Sequence, residues 1–358
     1  LADDHWLLHS QSLNFPGYHR HLRRELGDGW PELPENMVFD NNVEDSYIAG
    51  LIYARGQERP VNYLHPSFGY FFERMYARED GLVYALENYP DRELQPPPPD
   101  DARIASQTQF LQEKWDADLA TLGQRVRRGM ASLPNRYLAN VESRQMNNWG
   151  VRLQANELIS EAATWFERAT ELNTNNVSAL INLEYNRHIQ SEQTNDFALS
   201  ERTASALSNY RQNLLAVLTE GGEIDTPNYR LLLGGQLAAG RNFRQAALQY
   251  LRAAELTPDE QMARAQLART FLQAQSPDRA LETIQEIRET MAGKGLNRFA
   301  EIDLMSMEAS ALFKKGRLDE AIQLLNAGLA RYPEDIAMRD TAAQMLLSFA
   351  PYSLSLIH

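Results

Sequence analysis

Residues 233–258 read L-G-G-Q-L-A-A-G-R-N-F-R-Q-A-A-L-Q-Y-L-R-A-A-E-L-T-P. Leu233-Gly234, Leu237, Ala246, Tyr250, Ala253 and Pro258 form a pattern of small and large apolar positions. Leu267-Ala268, Phe271 and Ala280 repeat it 34 residues later, from 234 to 268 and from 246 to 280. Trp149-Gly150, Leu153, Ala162, Phe166 and Ala169 give the same set upstream, and Ala309, Leu312, Gly316, Ala321, Leu325 and Pro333 give it downstream. A period of this length marks a stack of supersecondary units. Each unit is then two antiparallel helices, with small residues where the helices approach closely and large ones filling the gaps. No unit buries its apolar stripe alone, so neighbours must stack. Pro258 and Pro333 end the second helix of a unit, because proline cannot continue it.

The faults in the register locate irregularities. From Ala162 to Ala246 is 84 residues, two periods plus 16. A first helix is expected at Val177–Ile189, and an elongated second helix over Asn195–Thr219. From Ala280 to Ala321 is 41 residues, seven beyond the period, and the excess is expected in Ala292–Arg298. Glu308 stands where an apolar residue is usual. Asp335–Phe349 reads as a terminal helix, and Arg103–Ala139 as a further degenerate pair.

These positions resemble the tetratricopeptide repeat family over about residues 140–350. The resemblance implies a mainly α chain: a right-handed α-solenoid with a concave groove that grips an extended segment or helix of a polypeptide partner, and no catalysis. By the repeat register, the groove-facing residues are Asn147, Asn148, Val151 and Gln154, then Asn182, Tyr185 and His188. Leu231, Leu232 and Gly235 follow, then Gln266, Arg269 and Gln273, and finally Asp303, Ser306 and Ser310. Only Arg269 is a cation, so the basic clamp with which some members of the family hold acidic tails is absent. An amide-rich, neutral groove suits hydrogen bonding to a partner's backbone.

The clearest boundary upstream is Q-P-P-P-P-D-D at Gln95–Asp101, since four prolines favour stiff polyproline II. The expected division is a small α/β lobe over 1–94, a linker over 95–102 and the solenoid over 103–358. In the lobe, Asp4–Leu26 has helical composition interrupted by Phe15-Pro16-Gly17. Met37-Val38-Phe39 is a short apolar run. Asn41 or Asn42 is placed to cap a helix over Val43–Arg55, stopped by Gly56. Val61–Leu64 and Gly81–Leu86 read as strands, with a helix over Ser67–Tyr76 between them. Strand–helix–strand–helix–strand predicts a small parallel sheet with right-handed crossovers. Asp40, Asn41, Asn42 and Glu44 would then lie beyond the carboxyl end of one strand, and His65 and Ser67 beyond its neighbour. That is where open α/β sheets bind ligands, although an asparagine with acids in the first turn is also what ordinary helix capping requires.

The chain has 358 residues, 43% hydrophobic and 23% charged, with a formal net charge of −13 and no cysteine. The acidic balance excludes nucleic acid as the main partner. Arg125, Arg127 and Arg128 are the nearest approach to a basic cluster, and they read as a solvated helix face. Without cysteine there is no disulfide, no thiol nucleophile and no thiolate metal site. His5 and His9 are four apart but lack a third ligand, and His19 and His21 do no better, so no metal and no cofactor are expected. No apolar run reaches the roughly 18 residues of a membrane span.

Pro34–Leu86 carries a second likeness, in the strings L-P-E-N-M-V-F-D-N-N, E-R-P-V-N-Y-L-H-P-S-F-G-Y-F-F-E and G-L-V-Y-A-L. It resembles the soluble region after the membrane spans of bacterial glycosyltransferase-like multi-span membrane proteins. That resemblance, with leucine rather than methionine at residue 1, implies an extracytoplasmic tail of something longer, tethered to a membrane. The expected function is a protein–protein interaction module. Its rivals are a ligand-binding or enzymatic lobe with the repeats as regulator, and a solenoid that packs on its own lobe or on a second copy.

Overall fold

A computed structural model describes residues 6, 8–63, 70–81, 83–90, 93–191, 197–211, 213–292, 295 and 297–354. The chain divides into two compact units, Leu1–Glu223 and Ile224–His358.

The first unit opens with a 3-10 turn at Ser10–Asn14 and α1 (Pro16–Leu26), with Pro16 in the first helical turn, so Phe15-Pro16-Gly17 does interrupt the early helix. β1 (Val38–Phe39) and β2 (Asn42–Val43) form an antiparallel hairpin. Its two turn residues, Asp40 and Asn41, have φ of 47° and 62°, the left-handed pair that a two-residue hairpin turn demands. α2 (Asp45–Glu58) is therefore preceded by Glu44 rather than by either asparagine, and it runs through Gly56. β3 (Asn62–Tyr63), β4 (Met75–Asp80) and β5 (Val83–Asn88) form a sheet of order β3-β5-β4 in which both pairings are antiparallel.

The sheet thus corrects the parallel α/β expectation. β4 and β5 are separated only by Gly81, at φ 67°, and residue 82. So short a connection makes a hairpin and leaves no room for a crossover. Where a helix is expected over Ser67–Tyr76, the described part is a 3-10 turn, Tyr70–Glu73, followed by β4. Leu22, Trp30, Val43, Ile48, Phe72 and Met75 fill the core of this region.

After the prolines, Asp100 caps α3 (Asp101–Lys114), accepting from the Arg103 N–H at 2.8 Å. A π-helical turn at Trp115–Leu119 leads into α4 (Ala120–Arg127). Then come α5 (Leu133–Ala155), α6 (Ile159–Leu172) and α7 (Val177–Gln190), the last at the position that the register predicts. The elongated helix expected over Asn195–Thr219 is instead two eight-residue helices, α8 (Glu201–Ser208) and α9 (Leu214–Gly221). Arg211, at φ 48°, stands at the break.

The proline stretch does not set the strands apart from the helices. Gly81 exchanges two 3.0 Å hydrogen bonds with the Gln107 side chain on α3, and Arg152 of α5 holds Glu79 at 2.9 Å.

The second unit is a run of helices: α10 (Pro227–Ala239), α11 (Phe243–Leu256), α12 (Met262–Gln273), α13 (Pro277–Thr290), α14 (Arg298–Lys314), α15 (Leu318–Arg331) and α16 (Ile336–Leu354). Each packs on its chain neighbour, and α12, α14 and α16 also pack in sequence on one another. That is the stacking of a tetratricopeptide-type solenoid. Pro258 and Pro333 lie in the turns after α11 and α15. Of the seven-residue excess expected in Ala292–Arg298, only two residues fall in the turn between α13 and α14; the other five lengthen α14 to 17 residues against 12 in α12. Glu308 is held by Arg288 at 2.6 Å.

The small positions do what the pattern requires. A Cβ on Gly150 would lie 2.5 Å from the Phe166 ring, and one on Gly234 would lie 2.7 Å from the Tyr250 ring. Ala162, Ala246, Ala280, Ala309 and Ala321 are fully buried. Ala246→Leu or Ala280→Leu should therefore cost about 1–3 kcal/mol by overpacking. Thermal unfolding reads this directly, and an unchanged Tm in both variants would contradict the register.

Candidate functional site

From Glu142 to Val151 every residue of α5 is buried, polar ones included. Buried polar side chains need partners, and here most of the partners are main chain. The Asn147 amide donates to the carbonyls of Gly221 (3.0 Å) and Glu223 (2.9 Å). Asn182, on α7, donates to the Asn147 side-chain oxygen and to the Glu223 carbonyl, both at 2.8 Å. The Asn148 side-chain oxygen accepts the Glu223 N–H at 2.9 Å, and Arg144 reaches the Thr219 carbonyl at 3.1 Å. The other end of Asn148 donates to the Tyr84 hydroxyl, which in turn donates to Gln145. Burial holds that hydroxyl well above the usual tyrosine range, outweighing the Asn148 hydrogen bond, which lowers it.

The rest of the face is equally engaged. Asn186 donates to Gln154 at 2.9 Å and to the Ile159 carbonyl at 3.0 Å. Tyr185, His188 and Phe197 form an aromatic cluster with centroids 5.1–6.3 Å apart.

Asn147, Asn148, Gln154, Asn182 and Tyr185, expected to line an open groove, are therefore buried. α9 and the turn after it cover Asn147, Asn148 and Asn182. The expectation of backbone-directed amides is met by the chain's own backbone. Two glycines permit the fit. A Cβ on Gly221 would lie 2.5 Å from the Asn176 side-chain oxygen, and one on Gly222 would lie 2.4 Å from that of Asn148. Gly222 also has φ 89°, a conformation that side chains disfavour.

The second unit leaves the corresponding helix faces open. Leu232 on α10 is 59% exposed and Met262 on α12 is 63% exposed. Gln273 is exposed, and Gln266, Ser306 and Ser310 are partly exposed. Arg269 donates to both oxygens of Asp303 at 2.9 Å, so the single groove cation is matched by the groove anion. Both side chains are more than two-fifths exposed, so the pair adds little stability, but it keeps the surface neutral.

The described members of the other candidate set are engaged locally. Asp40 and Asn41 are hairpin turn residues, Asn42 donates to the Asp40 carbonyl at 3.2 Å, and Glu44 accepts from Ser46. His65 and Ser67 lie outside the described residues, as does His5. His9 bonds Ser12. His19 is buried, with one ring nitrogen 2.7 Å from the Leu13 carbonyl and the other receiving the Trp30 indole N–H at 3.3 Å. Burial lowers its pKa from the usual value, against the Leu13 hydrogen bond, and with both ring nitrogens engaged it packs as a core histidine. Arg127 is held by Glu171. Among the described residues, no group of three or more His, Cys, Asp or Glu could hold a metal, and no helix is long and apolar enough to cross a membrane.

One polar centre left no mark in the sequence. In the second unit Asp225 is fully buried and clasped by Arg230 (3.0 Å) and Arg252 (3.0 and 2.8 Å). Burial alone would lower the Arg252 pKa, but its bonds to Asp225 and Glu255 outweigh this and raise it. The three residues are too far apart in the chain to form a local motif.

The family model described as tetratricopeptide repeat matches residues 231–293 and 305–342, all within the second unit. Among solved structures the chain is similar to the MamA protein, at 15% identity and a TM-score of 0.29, over 54% of this chain and 92% of that one. It is similar to YrrB, described as a TPR protein with an unusual peptide-binding site, at 17% identity and a TM-score of 0.31, over 55% and 89%. It is also similar to a thermophilic TPR protein of Thermus thermophilus, at 20% identity and a TM-score of 0.27, over 57% and 99%. No curated protein matches the chain.

Proposed function

We propose, from the tetratricopeptide repeats in residues 231–342, that this chain is a non-catalytic interaction module that binds a polypeptide along α10, α12 and α14. The observation that carries the reading is the contrast between the units. In the first, the amide-bearing helix faces are covered by α9 and its turn. In the second, Leu232, Met262 and Gln273 remain exposed, around an Arg269–Asp303 pair that cancels its own charge. A neutral face with apolar contacts and amides suits main-chain hydrogen bonding and side-chain burial.

A photocrosslinking residue placed at Gln266 or Gln273 should capture a polypeptide that the same probe at Glu282, on α13, does not. Binding of the captured polypeptide should change by about threefold or less between low and physiological salt. Equal capture at Glu282, or a steep loss of affinity with salt, would refute the reading. The wider setting, a tail of a glycosyltransferase-like membrane protein, is suggested by the strings of residues 34–86 and by the repeats that follow them. The reading frame upstream of Leu1 decides it.

A further inference from the structure

We infer that the α5–α7 face is a receptor for a helix C-terminus ending in Gly-Gly, occupied here by the chain's own α9 and open to the same segment supplied in trans. The inference stands apart from the open face of the second unit and survives or fails without it.

The face reads main chain. A helix leaves its last carbonyls without intrahelical partners, and α9 ends at Gly221. Arg144 takes the Thr219 carbonyl, Asn147 takes that of Gly221, and Asn147 with Asn182 takes that of Glu223. Asn148 takes the following N–H, that of Glu223. Donors and acceptor of this kind recognise the end of any helix, so side-chain identity enters elsewhere.

It enters as absence. The space for a Cβ at Gly221 is filled by Asn176 and Ser178, and at Gly222 by Asn148 and Asn147. A side chain at Gly222 meets the recognising amides of Asn148 and Asn147 themselves, whereas one at Gly221 meets Asn176 and Ser178 beside them. Gly222 adds a backbone conformation, φ 89°, that glycine adopts without strain. The occupant chemistry is thus defined: a helix with an apolar face, two consecutive glycines at its end, and a free carbonyl one residue on.

Beyond this clasp the polar anchors of α9 are few: Ser178 reaches the Val217 carbonyl at 3.4 Å, and Tyr210, just before the helix, donates to Glu220 at 2.7 Å. α8 and α9 have eight residues each, well below the length at which an isolated helix is stable. α9 buries Leu214, Val217 and Leu218 but leaves Leu215 half exposed. Short elements fastened by a few contacts open before the rest of a fold. A tethered occupant nonetheless sees its site at an effective concentration on the order of millimolar, so a competitor in trans binds the wild-type chain weakly.

The test uses the intact chain and a fluorescent synthetic peptide of residues 213–223, N-L-L-A-V-L-T-E-G-G-E. Gly222→Val should eject the chain's own segment, so that this variant binds the peptide at least tenfold more tightly than the wild type. A peptide with alanine at both glycine positions should bind neither protein. A folded Gly222→Val chain that does not bind the peptide, or equal binding of the two peptides, would overturn the proposal. If Gly222→Val does not fold, hydrogen exchange on the wild type decides. The α9 amides and that of Glu223 should exchange at least tenfold faster than those of α5 and α7, and faster still with excess peptide. Protection equal to that of α5 and α7, unmoved by peptide, would overturn it.

Discussion

Asp225→Ala should destabilise the second unit by about 3–5 kcal/mol, the usual cost of removing one member of a buried ion pair. The carboxylate is fully buried, and the guanidinium groups of Arg230 and Arg252 converge on it, with side chains only 6% and 16% exposed. Without it, two buried cations face each other with no anion between them. Arg230 keeps Gln249 at 2.8 Å and Arg252 keeps Glu255 at 2.9 Å, but neither contact replaces a carboxylate shared by both. Chemical denaturation of the variant measures the loss. A change below about 1 kcal/mol would mean that water reaches the site and screens it.

Phe166→Ala should cost about 3–5 kcal/mol, as large-to-small changes at buried aromatic positions do. The ring is fully buried and closes directly on Gly150, where even a methyl group would collide with it. The α5–α6 hairpin exists in this form because one helix offers no side chain where the other offers a large one. Truncating Phe166 leaves a cavity that the backbone at Gly150 has nothing to fill. Phe166→Leu should recover a good part of the loss, because it restores most of the volume. Equal destabilisation by both substitutions would show that shape rather than volume governs this contact.

The same contrast explains what the sequence disclosed. The small and large positions were legible because each acts on a neighbour one helix away, and the period repeats the signal. Gly150 with Phe166 and Gly234 with Tyr250 are the same contact made twice. The strands were legible only as short apolar runs, and their pairing was not. Asp40 and Asn41 have the composition of a helix cap and the geometry of a hairpin turn, and only the backbone distinguishes the two uses.

For the candidate site, the register identified which residues share a face but not what covers it. Asn147 and Asn182 bind carbonyls of residues 221 and 223, and a carbonyl carries no sequence signature. The two adjacent glycines were the one visible trace. Asp225 and its arginines show the same limit, since a clasp assembled from residues 5 and 27 positions apart leaves no local pattern.

The place where the chain passes from the first unit to the second has a mechanical consequence. Proteases cut where backbone is free to lie extended in their clefts, which is usually at exposed loops between domains. Here Glu223, the last residue of the first unit, has both its N–H and its carbonyl held by asparagines of that unit. Ile224 is buried, and Asp225 is anchored by arginines of the second unit. Cleavage beside Ile224 therefore requires one of these anchors, each within its own unit, to release first.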